Sequence, residues 1–267
     1  MLKIQDVHKT FNPGTINEKK ALNGVNLVLN EGDFVTVIGG NGAGKSTVLN
    51  MIAGVYPVDS GSIMIDDIDV TKLPEHKRAK YLGRVFQDPM NGTAADMNIE
   101  ENLALAAQFK TLQQVSDYNS AFTAKEREEY KERLGSLGLG LEDRMTSKVG
   151  LLSGGQRQAV TLLMASLRKP KLLLLDEHTA ALDPKTAKKV LELTGEIVAK
   201  DNLTTLMITH NMKDAIRLGN RLIMMHEGKV IYDISGEEKK NLKVADLLAK
   251  FEEVSGDELA NDRMILS

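Results

Sequence analysis

The chain has 267 residues, of which 42% are hydrophobic and 27% charged, and its formal net charge is −3. This size suits one large domain or a core with an inserted subdomain. The balanced charge offers no broad basic field, so nucleic acid is not expected as a partner. The chain has no cysteine, which excludes disulfides and thiolate metal sites. No apolar run approaches the roughly 18 residues of a membrane-spanning helix, and we expect an intracellular protein.

The first third of the chain reads mainly as strands. Residues 2–7 and 25–29 alternate between apolar and polar side chains, as half-buried strands do. Residues 34–38 form a nearly continuous apolar run, which is typical of a buried parallel strand. Shorter strands are predicted at 62–66 and near 80–86.

The middle of the chain changes to helical character. The charged segment 123–137 is predicted to be a helix, and the polar segment 110–119 a loop. We interpret residues 88–168 as a mostly helical insertion. Beyond it, buried-type strands at 171–176 and 203–209 flank a helix, and this alternation implies a parallel α/β sheet.

The end of the chain is predicted to contain two strands and a helical tail. The strands cover residues 221–226 and 229–233. In the tail, Leu247, Leu248, Phe251 and Val254 share one helical face. We therefore predict a single domain, 1–267, whose three parts are a core with a β-subdomain (1–87 and 169–233), the helical insertion (88–168) and the tail (234–267).

A phosphate-binding loop is the first motif that indicates chemistry. The pattern G-x-x-x-x-G-K-[ST] follows a strand and precedes a helix, the context that separates it from an ordinary glycine turn with an incidental lysine. Its backbone N–H groups and the helix N-terminus can hold phosphate, Lys45 can reach the β- and γ-phosphates, and Ser46 can bind Mg²⁺. The predicted nucleotide-binding residues are Gly39, Gly40, Asn41, Gly42, Ala43, Gly44, Lys45, Ser46 and Thr47.

A pair of carboxylates ends the apolar strand 172–175. Asp176 and Glu177 follow this strand directly, at the edge where open α/β sheets bind ligands. The pair could also cap the next helix, but the upstream phosphate loop favours a role for Asp176 in holding Mg²⁺ and for Glu177 in polarising water. The next residue, His178, is interpreted as a solvated loop histidine.

A short serine- and glycine-rich segment precedes an apolar helix. Ser153 and Gln156 have the spacing of a capping box, which would explain them structurally. Gly154 and Gly155 fall in the first helical turn, where glycine costs roughly 1 kcal/mol. The close approach of a phosphate to the backbone would explain that cost. We call residues 152–156 the signature turn.

The phosphate loop, the signature turn and the carboxylate pair, in this order, resemble the ATP-binding subunits of ABC transporters over most of the chain. The resemblance implies an α/β P-loop NTPase fold with a RecA-like parallel-sheet core, an N-terminal antiparallel β-subdomain and a helical insertion. It implies ATP and Mg²⁺ as ligands. It also implies that Ser153, Gly154, Gly155 and Gln156 face ATP held by a second copy of the chain.

The same resemblance assigns three further site residues. Gln87 matches a glutamine that coordinates Mg²⁺ or the lytic water, and His210 a switch histidine that contacts the γ-phosphate and orients Glu177. Phe11, just after the first strand, resembles an aromatic residue that stacks on adenine. Each has a structural alternative: a loop glutamine, a strand-end histidine and a core or turn aromatic. The family more often has proline at His178 and serine at Ala180.

The resemblance implies a function, ATP hydrolysis that powers solute transport. The partners it implies are separate membrane permease subunits and, indirectly, a solute-binding protein. Import is favoured, and the chain would lie on the cytoplasmic face of the membrane. Residues 87–94 and 234–237 resemble importers linked to tryptophan or tyrosine. The alternatives are a soluble ABC ATPase acting on ribosomes or nucleic acid, and a module that binds ATP without hydrolysing it.

Overall fold

The computed structural model describes residues 1–107 and 123–255. The strands in these residues form two sheets. They are β1 (Leu2–Phe11), β2 (Lys19–Leu29), β3 (Phe34–Ile38), β4 (Ser60–Ile65), β5 (Ile68–Asp69), β6 (Leu82–Val85), β7 (Leu172–Asp176), β8 (Thr205–Ile208), β9 (Arg221–His226) and β10 (Lys229–Ser235). The helices are α1 (Lys45–Ala53), α2 (Glu75–Arg78), α3 (Ile99–Ala107), α4 (Ala124–Gly135), α5 (Gly154–Ser166), α6 (Pro184–Asp201), α7 (Met212–Arg217), α8 (Gly236–Lys240) and α9 (Val244–Ser255).

The larger sheet confirms the predicted parallel core. Its strand order is β10-β9-β3-β8-β7-β6, and all neighbours are parallel except β9 and β10. Successive side chains of β7 are fully buried on opposite faces, since Leu172 and Leu174 join one apolar cluster and Leu173 and Leu175 the other. Burial on both faces explains the unbroken apolar run in the sequence.

The smaller sheet is the predicted antiparallel β-subdomain. Its order is β2-β1-β4-β5, with β1 antiparallel to both β2 and β4. Both long strands extend beyond the predicted segments, because β1 continues to Phe11 and β2 begins at Lys19. This extension brings the end of β1 and the start of β2 beside the phosphate loop.

Helices α3, α4 and α5 lie within the segment interpreted as a helical insertion. The predicted helix at 123–137 is confirmed as α4, which Thr123 caps through a reciprocal box with Glu126. Helices α3 and α4 both pack against α5 around the apolar cluster that also contains Leu173 and Leu175 of β7. The loop predicted at 110–119 lies outside the described residues.

The tail packs on the outer end of the parallel sheet. Leu247 and Phe251 of α9 are buried against Met212 and Met224, as the helical periodicity predicts. Lys239 of α8 is also buried, and its ammonium donates to carbonyl groups at the end of α7. The predicted tail beyond residue 255 lies outside the described residues. Within the described parts of the chain, no helix has the length and apolarity needed to cross a bilayer.

Candidate nucleotide-binding site

The phosphate loop connects β3 to α1 through a backbone that glycine makes possible. Gly39, Gly42 and Gly44 have φ values of 150°, 78° and 98°. A Cβ atom on Gly39 would lie 2.2 Å from the carbonyl oxygen of Met225, and one on Gly44 would lie 2.7 Å from that of Ala21. Other residues are therefore excluded at Gly39 and Gly44 by both conformation and space, and they are disfavoured at Gly42 by conformation.

Helix α1 begins at this loop with its N-terminus open. No side chain caps the helix and no acidic residue occupies its first turn. The Lys45 ammonium is buried and donates to the carbonyl oxygens of Gly39 and Gly40, at 2.7 and 3.0 Å. The amide groups of the first turn and one cation are thus gathered at one point, which suits a polyanion.

A cavity of about 250 Å³ lies over this loop. Phe11 lines one end of it, and its ring packs edge-on against Tyr56 with centroids 5.2 Å apart. The sequence places Phe11 just after the first strand, but in the structure it is the last residue of β1. The cavity is lined by Phe11, Lys19, Ala21, Asn41, Gly42, Ala43, Gly44, Lys45, Ser46, Thr47, Glu177 and His210.

The carboxylate pair lies where β7 ends beside this cavity. Ser46 donates through Oγ to Oδ1 of Asp176 at 3.4 Å. Burial raises the pKa of Asp176, the Glu177 carboxylate raises it further, and the nearby Arg84 cation opposes this rise. A carboxylate in this environment is stabilised by an added cation.

Glu177 and His210 meet at the C-terminal edge of the parallel sheet. Nε2 of His210 lies 2.6 Å from Oε1 of Glu177, although 33 positions separate them in the sequence. Nδ1 of His210 is buried without a hydrogen-bond partner. Glu177 has a φ of 47°, a strained value for a residue with a side chain. Adjacent parallel strands β7 and β8 bring the two residues together.

Gln87 does not line this cavity and is exposed after β6. The preceding residue, Phe86, is nevertheless hydrogen-bonded to the helical insertion. The buried Gln158 of α5 donates to the carbonyl oxygen of Phe86 at 3.2 Å. The sequence analysis missed Gln158, since a glutamine inside an amphipathic helix carries no local signal.

The signature turn also lies away from the cavity of its own chain. Ser153 Oγ accepts from the Gln156 amide at 3.3 Å, and Gln156 Oε1 accepts from the Ser153 amide at 3.2 Å, which confirms the capping box. Gly155 is buried, and a Cβ there would lie 2.0 Å from Cγ2 of Thr186 on α6. Close helix packing therefore explains Gly155 without any phosphate, whereas Gly154 remains exposed.

His178 corrects one interpretation. Its side chain is only 2% exposed, and it is not the solvated loop residue expected from the sequence. Nε2 of His178 lies 3.0 Å from Oγ1 of Thr194 in α6. Burial lowers the pKa of His178 to about 4, because the interior of the protein disfavours the charged imidazolium.

Lys19 is a second residue that the sequence analysis missed. It lines the cavity, and its ammonium is the nearest group to the open side of Gly42. An exposed lysine at the start of a strand is usually solvated surface. Its place beside the loop follows only from the pairing of Lys19 with Phe11 across β1 and β2.

Comparison with known proteins agrees with this geometry. The model of the ABC transporter family matches residues 22–180. A tyrosine transport ATP-binding protein of Clostridioides difficile is 45% identical over 257 residues, covering 94% of this chain and 99% of that protein. A xylose/arabinose import ATP-binding protein of Sulfolobus acidocaldarius is 35% identical over 254 residues, covering 94% of each.

A solved structure extends the agreement to the fold. A dimeric ATP-binding cassette in a post-hydrolysis state, bound to ADP and Pi, is 32% identical with a TM-score of 0.73, and the match covers 88% of this chain and 98% of that one. The chain therefore belongs to the ABC transporter family. Within it, the protein is an ATP-binding subunit and an ATPase.

Proposed function

We propose that this subunit powers the import of a solute through separate membrane permease subunits, working on the cytoplasmic face of the membrane. The observation that carries the ATPase role is the Glu177–His210 pair beside the phosphate loop. Import is supported by the relatives, two of which are named for tyrosine transport and xylose/arabinose import.

The nucleotide would lie along the cavity from Phe11 to the start of α1. Phe11 stacks on the adenine, Lys45 contacts the β- and γ-phosphates, and Thr47 contacts the α-phosphate. Lys19 adds a cation on the open side of the loop. The amides of the loop bind phosphate oxygens without rearrangement, because the glycine conformations already hold the turn open.

Ser46 and Asp176, which are hydrogen-bonded beside the cavity, would hold Mg²⁺. Gln87 is proposed as a further ligand on the family resemblance alone, since it does not line the cavity of this structure. At nucleotide sites Mg²⁺ takes only a few protein ligands, and phosphates and water complete its shell. In agreement, the described part of the chain has no cluster of three or more histidine or acidic side chains suited to a metal. When bound, Mg²⁺ neutralises charge on the transferred phosphoryl group. The raised pKa of Asp176 would fall on binding.

Glu177 orients and polarises the attacking water, and His210 holds Glu177 and senses the γ-phosphate. Hydrolysis of this kind depends on positioning and charge rather than on a covalent intermediate. The 2.6 Å contact fixes the Glu177 carboxylate at the cavity wall. The partnerless Nδ1 of His210 leaves a polar atom for a ligand or a conformational change to satisfy.

Glu177→Gln tests this assignment. We expect the variant to bind ATP with wild-type affinity and to lose most of its turnover, on the order of 100-fold or more, because the amide cannot accept a proton from water. Steady-state ATPase assays and calorimetric ATP binding measure both properties. Glu192→Gln on the exposed face of α6 is the matched control. Wild-type turnover in Glu177→Gln would exclude the proposed role.

The active unit is proposed to be a head-to-tail dimer in which the signature turn of each copy faces the ATP of the other. The exposure of Ser153 and Gly154, and their distance from the cavity of their own chain, support this arrangement. A similar cassette has been solved as a dimer. Light scattering of Glu177→Gln with Mg–ATP should give a dimer, and a monomer at high protein concentration would contradict it.

The solute is proposed to be an aromatic amino acid, delivered by a solute-binding protein. The support is the 45% identity to a tyrosine transport ATP-binding protein over nearly the full length of both chains. The assembled transporter should show ATPase stimulation by tyrosine or tryptophan with its binding protein. Stimulation by xylose or spermidine and not by either amino acid would overturn this assignment.

A further inference from the structure

A buried hydrogen bond joins the residue after Glu177 to the middle of α6. His178 is 2% exposed and Thr194 is fully buried. Nε2 of His178 and Oγ1 of Thr194 are 3.0 Å apart. Nothing in the proposed chemistry uses this pair, yet a polar pair in an apolar interior has to be formed with good geometry to avoid a desolvation cost.

The direction of this hydrogen bond follows from the donors available. The Thr194 hydroxyl has one hydrogen, which it donates to the carbonyl oxygen of Val190 at 2.8 Å. Thr194 Oγ1 therefore accepts from His178, whose proton is on Nε2. This contact selects one of the two tautomers of the imidazole.

The backbone at Glu177 needs such an anchor. Glu177 has a φ of 47°, its amide donates to Ile208 at 3.1 Å, and its carbonyl accepts from Ala180 at 2.9 Å. A strained residue of this kind persists only when its surroundings hold it. The hydrogen bond between His178 and Thr194 holds the side chain that follows Glu177, and it adds a restraint on the backbone there.

Helix α6 also contacts the signature turn. Thr186, in the first turn of α6, packs against Gly155, and Thr194 lies eight residues further along the same helix. At 1.5 Å per residue these contacts are about 12 Å apart on one rigid element. The helix therefore touches the turn that faces the ATP of the second copy and the loop that holds Glu177 over its own ATP.

We infer that His178 is a positioning residue for ATP hydrolysis, which holds Glu177 in register with α6 and the signature turn through its hydrogen bond to Thr194. The inference rests on the proposed role of Glu177. It adds a buried histidine that does not touch nucleotide and acts only through the placement of the carboxylate.

Four variants test the inference in ATPase and ATP-binding assays of the full chain. His178→Leu and Thr194→Val each remove the hydrogen bond and fill the buried position with an apolar side chain. We expect kcat to fall on the order of 10-fold to 100-fold, as for a misplaced catalytic group, with unchanged ATP affinity. His178→Gln, whose amide nitrogen matches Nε2, should recover most of the loss. The double variant should be no slower than either single variant, since both remove one interaction.

Thr161→Val is the matched control. Thr161 is also buried in a helix and donates to the carbonyl four residues earlier, but no histidine contacts it. Its kcat should stay near that of the wild type. Wild-type kcat in His178→Leu, or equal losses of kcat, ATP affinity and Tm that glutamine does not rescue, would overturn the inference. Glu177→Gln is assayed in parallel. Wild-type turnover in that variant would contradict the proposed role of Glu177, and this outcome is distinct from a failure of the inference about His178.

Discussion

Two helix N-termini of this molecule are built around glycine, and they differ in what their first amides do. At α1, no side chain caps the helix, so the amides of the first turn face the cavity. At α5, the capping box of Ser153 and Gln156 already satisfies two amides. The phosphate loop is thus ready for an anion in the isolated chain. The signature turn has to break the hydrogen bonds of its capping box before its amides can bind an anion.

The glycines of the two turns also differ in their physical cause. Gly39, Gly42 and Gly44 have positive φ, which a side chain would oppose. Gly154 and Gly155 lie in α5, and only Gly155 is required by packing, against Thr186. Glycine therefore allows an unusual backbone conformation in the phosphate loop and a close helix contact in the signature turn. The following predictions test this difference.

The largest expected effect is on the phosphate loop. Lys45→Met removes the cation at the start of α1, and we expect ATP affinity to fall on the order of 100-fold or more, since charge-assisted hydrogen bonds to phosphate are lost. Isothermal titration calorimetry of the monomer measures this. Ser153→Ala is the comparison and should bind ATP normally as a monomer. Equal affinity losses in both variants would contradict the division of labour between the two turns.

A smaller effect is expected at the signature turn. Ser153→Ala removes the cap of α5 and should cost about 1 kcal/mol of unfolding free energy. It should also lower turnover on the order of 10-fold and weaken dimerisation by Mg–ATP, because in the proposed dimer the hydroxyl contacts the ATP of the second copy. Chemical denaturation, ATPase assays and light scattering measure the three effects. Ser153→Asn keeps an oxygen that can accept from the Gln156 amide, so it should retain stability while turnover falls, which separates the capping loss from the phosphate contact.

Much of the fold could be predicted because the buried strands and the turns have strong local signals. The apolar runs of β3 and β7 identified the parallel core, and the Thr123–Glu126 box marks the start of α4. The ends of β1 and β2 were underestimated, since Phe11 and Lys19 lie among polar residues. Their strand conformation comes from pairing with each other, and a local pattern cannot show a distant partner.

The site could be predicted to the extent that its residues occur in one contiguous motif. Residues 41–47 of the phosphate loop line the cavity, whereas Gly39 and Gly40 do not and accept hydrogen bonds from Lys45 instead. The meeting of Glu177 with His210 follows from adjacent strand ends. The environment of His178 could not be predicted, because its burial depends on Thr194, which is 16 positions away. Exposed loop residues and buried ones look alike when the contact is made by another element.

The smallest expected effect decides between two explanations of Gly155. Gly155→Ala places a Cβ 2.0 Å from Cγ2 of Thr186, and overpacking of this kind costs about 1–3 kcal/mol, partly offset by roughly 1 kcal/mol of better helix propensity. We expect a net loss of about 1 kcal/mol in urea denaturation. Gly154→Ala is the control, because its Cβ meets only the flexible end of Leu182 at 3.2 Å and should leave stability unchanged or higher.

Adding Thr186→Ser to Gly155→Ala removes the clashing methyl group and should restore stability. If the doubly substituted protein also regains turnover, helix packing accounts for the glycine. If it is stable and still inactive, the backbone at Gly155 has to be approached by a phosphate, as the sequence first suggested. Wild-type stability of Gly155→Ala alone would show instead that α5 and α6 can separate, and the packing explanation would then be wrong.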